Sequence, residues 1–109
     1  MGINAFTSLG KTVKLVADTT APTPVQVPST TLGGNQYRVI NTGTVTVFMG
    51  YGANAAAASA SATVVTASGE ALPILPGTDE ILTFVPNAYF TGITISGTAN
   101  VYITPGDGM

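Results

Sequence analysis

The 109-residue chain contains no cysteine and no histidine. Without thiolate or imidazole it cannot form a thiolate zinc site, a cysteine nucleophile or any triad that passes protons through histidine. The missing cysteines also leave the redox compartment undetermined. Charge is scarce: 7% of residues are charged and the net charge is −2, against about 25% in an average globular protein. A lone soluble monomer usually carries more, because charge opposes association. Either a Thr- and Asn-covered surface needs few charges, or much of the surface is buried in an assembly; the second is the expectation taken forward. Lys11, Lys14 and Arg38 are the only basic residues, so direct nucleic-acid binding, which needs clustered cations with aromatics between them, is not expected. No run of about 18 apolar residues is present, so no membrane span is expected. The first residues lack the basic and apolar regions of a signal peptide. Phe6 stands where a myristoylation motif needs Ser or Thr. No Asn-x-Ser/Thr sequon occurs, which gives secretion through a glycosylating pathway no support.

What remains is strand after strand. Residues 36–51 read Gln-Tyr-Arg-Val-Ile-Asn-Thr-Gly-Thr-Val-Thr-Val-Phe-Met-Gly-Tyr. Two β-rich runs flank Asn41-Thr42-Gly43-Thr44, and Asn and Gly both tolerate positive φ, so the spacing predicts a tight hairpin. Val45, Val47, Met49 and Tyr51 fall on one face of the second run. Residues 12–17 alternate as a first strand. Residues 25–27, bracketed by Pro24 and Pro28, suit a short edge strand because proline cannot donate to a ladder. Residues 63–66, 71–75, 80–85, 89–96 and 99–104 read as further strands. Pro76-Gly77-Thr78-Asp79, Pro86-Asn87-Ala88 and Gly97-Thr98 are the turns between them. The Ala/Ser-rich residues 53–62 favour helix by propensity but offer no large apolar stripe, and are expected to form a loop or one or two frayed turns. Turn signals at short intervals without a convincing helix predict one all-β domain, a sandwich or a barrel. The expected organisation is an N-terminal arm over 1–10, a single domain over 11–105 and a C-terminal tail over 106–109.

Several strands are apolar on both faces. Ile81, Thr83 and Val85 oppose Leu82 and Phe84; Val101 and Ile103 oppose Tyr102; Phe48 opposes Val47 and Met49. An antiparallel sandwich normally keeps one face of each sheet wet. Either loops cover the second faces or a neighbouring subunit does. On the second reading Phe48, Leu82, Phe84 and Tyr102 are the candidate interface residues.

Three patterns imitate catalytic or binding motifs. Gly50-Tyr51-Gly52-Ala53-Asn54-Ala55 fits the dinucleotide fingerprint G-x-G-x-x-A, with Glu70 downstream, but the strands that follow do not make a βαβ unit. Ser8-Leu9-Gly10-Lys11 fits S-x-x-K, yet Gly10 disfavours the helix that would align Ser8 with Lys11. The carboxylates are Asp18, Glu70, Asp79, Glu80 and Asp107. Asp79 and Glu80 are adjacent, so on a strand they point to opposite faces rather than forming a pair. No catalytic residue, metal or cofactor is expected.

Three segments together carry a resemblance: Arg38-Val39-Ile40-Asn41-Thr42-Gly43-Thr44; Leu75-Pro76-Gly77-Thr78-Asp79-Glu80-Ile81-Leu82-Thr83; and Val101-Tyr102-Ile103-Thr104-Pro105-Gly106-Asp107-Gly108. In this order of strand and turn the chain resembles small virion structural proteins of tailed bacteriophages, especially β-sandwich or jelly-roll proteins that decorate or cement the capsid shell. The resemblance covers roughly residues 36–108 and carries no catalytic residue across. It implies an antiparallel, jelly-roll-like sandwich, a homotrimer, the major capsid protein as partner and the capsid surface as location. The alternatives are a tail or neck component of the virion, or a carbohydrate-binding or receptor-adhesion module in which Tyr37, Tyr51 or Tyr89 would stack on a sugar.

Overall fold

Alternation of apolar and polar residues builds nearly every element of this protein. The structure, a computed structural model, describes residues 7–8, 10–28, 36–64, 69 and 71–107. In chain order the elements are β1 (Thr7–Ser8), β2 (Val13–Ala17), β3 (Val25–Gln26), β4 (Gln36–Asn41), β5 (Val47–Gly52), α1 (Ala55–Ser61), β6 (Leu72–Ile74), β7 (Asp79–Thr83), β8 (Tyr89–Ile93) and β9 (Ala99–Asp107). They form two antiparallel sheets packed face to face. The first has the order β1-β9-β4-β7, with β2 also paired to β9; the second has the order β3-β8-β5-β6. The strands β1 and β2 pair with different stretches of the β9 edge that β4 leaves free, so they are two halves of one interrupted strand. From β2 onward the chain alternates between sheets, staying in one sheet only from β5 to β6. This is the wiring of a jelly roll, the double-sheet solution with two Greek keys.

The core lies between the sheets. From the first sheet come Leu15, Ala17, Tyr37, Val39, Val101 and Ile103; from the second, Val47, Met49, Ile74 and Phe90. These are the alternate residues of their strands, as the pleat requires. Tyr37 is the hub: its ring meets Phe90 edge-on at 4.9 Å. Its hydroxyl donates to the Val85 carbonyl and accepts from the Ala88 N–H at 3.0 Å. Burial pushes the phenol above its ordinary pKa of 10, and the Ala88 hydrogen bond pulls the other way.

The structure differs from the sequence expectations in four places. Residues 36–51 are not a hairpin: β4 pairs with β7 and β9, and β5 with β6 and β8. The tetrad Asn41–Thr44 carries the chain from one sheet to the other. The buried Asn41 side chain makes that corner, accepting from Gly43 N–H at 2.9 Å and donating to the Val45 and Ile74 carbonyls at 2.9 and 3.0 Å. Residues 53–62 are not a loop but contain α1, capped by the Asn54 side chain, which accepts from Ala57 N–H at 2.9 Å. No large apolar stripe is needed because the helix lies directly on β5. A Cβ on Gly50 would come within 2.4 Å of the Ala58 carbonyl oxygen, and one on Gly52 within 2.5 Å of the Ala57 Cβ. Within 63–66, Thr63 and Val64 belong to no strand, and the remainder lies outside the described residues. At the other end, β9 runs on through Gly106 and Asp107 and pairs there with β1, so residues expected as tail and arm close one end of the first sheet.

Candidate interaction surfaces

The four candidate interface residues lie on three different surfaces of the chain. Leu82 and Phe84 turn inward and pack against the core, because Leu82 sits opposite Tyr37 and shares its face. Phe48 is half-buried on the outer face of the second sheet, between Ile93 and Pro73. Tyr102 is half-buried on the outer face of the first sheet, between Lys14 and Ile40. The partners of Leu82 and Phe84 across the strand, Ile81 and Val85, are exposed instead.

The two outer faces differ in charge. Every charged residue within a strand belongs to the first sheet: Lys14, Arg38, Asp79, Glu80 and Asp107. Arg38 and Asp79 form an ion pair at 2.8 Å with both side chains about half exposed. The strands of the second sheet and α1 contain no charged residue. On that sheet's outer side α1 covers one end, over Gly50 and Gly52. The other end carries Phe48, Ile93 and Pro73. Just beyond the strand ends lie Leu75 and Ile95, which are 58% and 71% exposed. The sequence reading missed this patch because it ran the strands on through Leu75 and Ile95, whereas β6 ends at Ile74 and β8 at Ile93.

A second feature is a cleft of about 290 Å³ between the sheets, lined by Tyr51, Leu72, Leu82, Phe84 and Phe90 together with Ile81 and Thr83. Tyr51 and Phe84 meet edge-on at 4.9 Å. They also border an adjoining hollow that reaches Ala57 and Ser61 of the helix.

The catalytic look-alikes are put to structural use. In the glycine motif Gly50 and Gly52 let α1 approach, and Asn54 spends its carbonyl oxygen on the helix cap. Ser8 belongs to β1 rather than to a helix shared with Lys11. Asp18 accepts from the Thr19 N–H at 2.7 Å. Asp79 faces Arg38 on the outer side, and Glu80 lies on the opposite face. Glu70 lies outside the described residues, as does the side chain of Asp107. Among the described residues no three His, Cys, Asp or Glu side chains come together, and no helix is long and apolar enough to cross a membrane. Of the aromatic residues weighed for sugar stacking, Tyr37 is buried and Tyr51 and Tyr89 are half-buried. No protein-family model, curated protein or solved structure matches this chain.

Proposed function

We propose that this chain is a structural, non-enzymatic virion protein of a tailed bacteriophage. On this reading it acts as a homotrimer that decorates and cements the capsid shell by bridging subunits of the major capsid protein. The observation that carries the reading is the segregation of charge. One side of the sandwich keeps the ionic residues, while the other, faced by α1 and the Phe48–Ile93–Pro73 patch, has none in its elements. A sheet whose strands carry no charge can be buried with few ions to desolvate, and among the described residues Asp18, bridged to Ile93, is the charged neighbour of the patch. The three segments that carry the phage resemblance also fall together, since β9, β4 and β7 are neighbours in the first sheet. The jelly roll itself hosts viral capsid and lectin domains alike, so the fold alone does not choose between them.

The mechanism is burial. Each apolar patch removed from water contributes about 25 cal/mol per Å², and repetition over a shell multiplies a modest contact through avidity. The test is direct: sediment the purified chain at tens of micromolar, then mix it with emptied capsids and image labelled particles. A trimer that saturates the capsid surface supports the reading. A monomer that leaves capsids bare, with label on the tail or on no particle, overturns it. One feature favours a second reading, a carbohydrate-binding module: the half-buried Tyr51 at the cleft. Only the Tyr51 and Thr83 hydroxyls offer side-chain hydrogen bonds along its lining, few for a sugar's hydroxyls, and a glycan array separates the two readings.

A further inference from the structure

The two terminal strands β6 and β7 meet at the cleft, which both Leu72 and Leu82 line. Only β4 pairs with β7 among the described residues. Which backbone groups of β7 are left over follows from the ladder. Asn41 N–H donates to the Thr78 carbonyl at 3.1 Å, whereas Thr42 N–H donates the other way, to Asn100, at 3.0 Å. Odd-numbered residues of β4 therefore face β7, and through the register Tyr37↔Leu82 and Val39↔Glu80 the ladder uses Leu82 and Glu80. The N–H and C=O groups of Ile81 and Thr83 point outward along the open edge. Ile81 and Thr83 also border the cleft, so a strand edge without a partner among the described residues and a largely apolar cleft, roomy enough to admit a side chain, lie side by side. Glu80 shares the inner face with Leu82, is exposed, and has no ion-pair partner among the described residues. Asp79, its neighbour, is already matched by Arg38.

We propose that this edge receives an extended segment of another protein as an added antiparallel strand. An apolar side chain of that segment, opposite Leu82, enters the cleft, and a lysine or arginine two residues further on meets Glu80. Strand addition works in this way: main-chain hydrogen bonds give affinity and a pocket for alternate side chains gives selectivity. Charge decides against a second copy of the same edge. Its β7 would bring another Asp79-Glu80 end and no cation for Glu80. The proposal does not rest on the virion reading, and the edge can bind a peptide whether or not the protein decorates a shell.

The test uses the full chain and two acetylated, amidated threonine hexapeptides with leucine at the third position. One has lysine at the fifth position and the other glutamate. Isotope-labelled protein is titrated with each while amide exchange is followed by NMR. The lysine peptide is expected to slow exchange at the Ile81 and Thr83 amides and to shift signals of Leu72, Leu82 and Phe90. It should bind about two- to fivefold more tightly than the glutamate peptide, the range of an exposed ion pair. Glu80→Lys should reverse that preference. Ile81→Pro removes an outward donor while sparing the bonds to β4, and should weaken binding about two- to tenfold. If that variant does not fold, Glu80→Lys decides alone. The proposal is overturned if neither peptide saturates at millimolar concentration, if the shifts map elsewhere, or if Glu80→Lys leaves the preference unchanged. It is also overturned if Ile81 and Thr83 are protected without peptide in a sedimenting dimer, which would give the edge to a second copy.

Discussion

Tyr37 ties a strand of the first sheet to the turn that precedes β8, through one donated and one accepted hydrogen bond. Tyr37→Phe leaves the Val85 carbonyl and the buried Ala88 N–H without that partner. Unfolding free energy is expected to drop by about 1–3 kcal/mol, measured by urea denaturation. The same phenol sets an alkaline limit. Its folded pKa lies above the unfolded value of about 10, so its contribution is full below pH 10 and is lost as pH rises through the folded pKa. Melting temperature should therefore hold up to about pH 10 and fall beyond it. At residues 81–85 the sequence left both faces equivalent, since each carries large apolar groups; only the neighbours in space distinguish them. Phe84 packs on Tyr51 and the core, while Thr83 is exposed. Phe84→Asp is expected to fold poorly, because it loses the ring's packing on Tyr51 and sets an unpaired carboxylate in a half-buried site. Thr83→Asp should stay within about 0.5 kcal/mol of wild type. A well-folded Phe84→Asp variant by circular dichroism would contradict this placement.

At the scale of elements, the strands were legible and their partners were not. Alternation marks a strand and its inner face, as in Val13, Leu15 and Ala17 of β2, because burial on one side imposes period two. Asn-Thr-Gly marks a change of direction but not whether the outgoing strand returns beside the incoming one. At Asn41 the side chain bonds to Ile74 of the other sheet, a contact thirty-three residues away that no local pattern announces. The helix was illegible for a related reason. Its docking depends on what is missing from β5, the side chains at Gly50 and Gly52, rather than on an apolar stripe of its own. Gly50→Val should therefore push α1 off the sheet, with loss of helical ellipticity while β-structure remains. Asn54→Ala should lower stability by about 1 kcal/mol through loss of the cap, readable in the same denaturation curves. The open end of the second sheet was invisible for a third reason: Leu75 and Ile95 continue the apolar runs 71–75 and 89–96, and only the fold shows that β6 and β8 stop short of them.

For the whole molecule, the composition limits how solution conditions act. With no histidine in the chain, nothing with an ordinary side-chain pKa titrates between about pH 6 and 8. On the proposed virion reading, self-assembly and capsid binding are expected to be flat across that window and unchanged by EDTA. Loss of assembly on chelation would instead point to a cation held at Asp79, Glu80 or Asp107. Far-UV circular dichroism should be dominated by β-structure, since the described residues hold a single seven-residue helix.

The wiring also has a consequence for the order in which the protein can be made. Strand β9 is the middle of the first sheet: β1 and β2 border it on one side and β4 on the other. Until residues 99–107 have been synthesised, β2 has no strand to pair with and one edge of β4 is left open. An emerging chain thus holds open, sticky strands until its last element arrives, and contacts of such long sequence separation form slowly. A cell translating this protein at high level would keep many unclosed sandwiches at once, and chaperone demand should track the time from the emergence of β2 to the release of β9 rather than the stability of the finished fold.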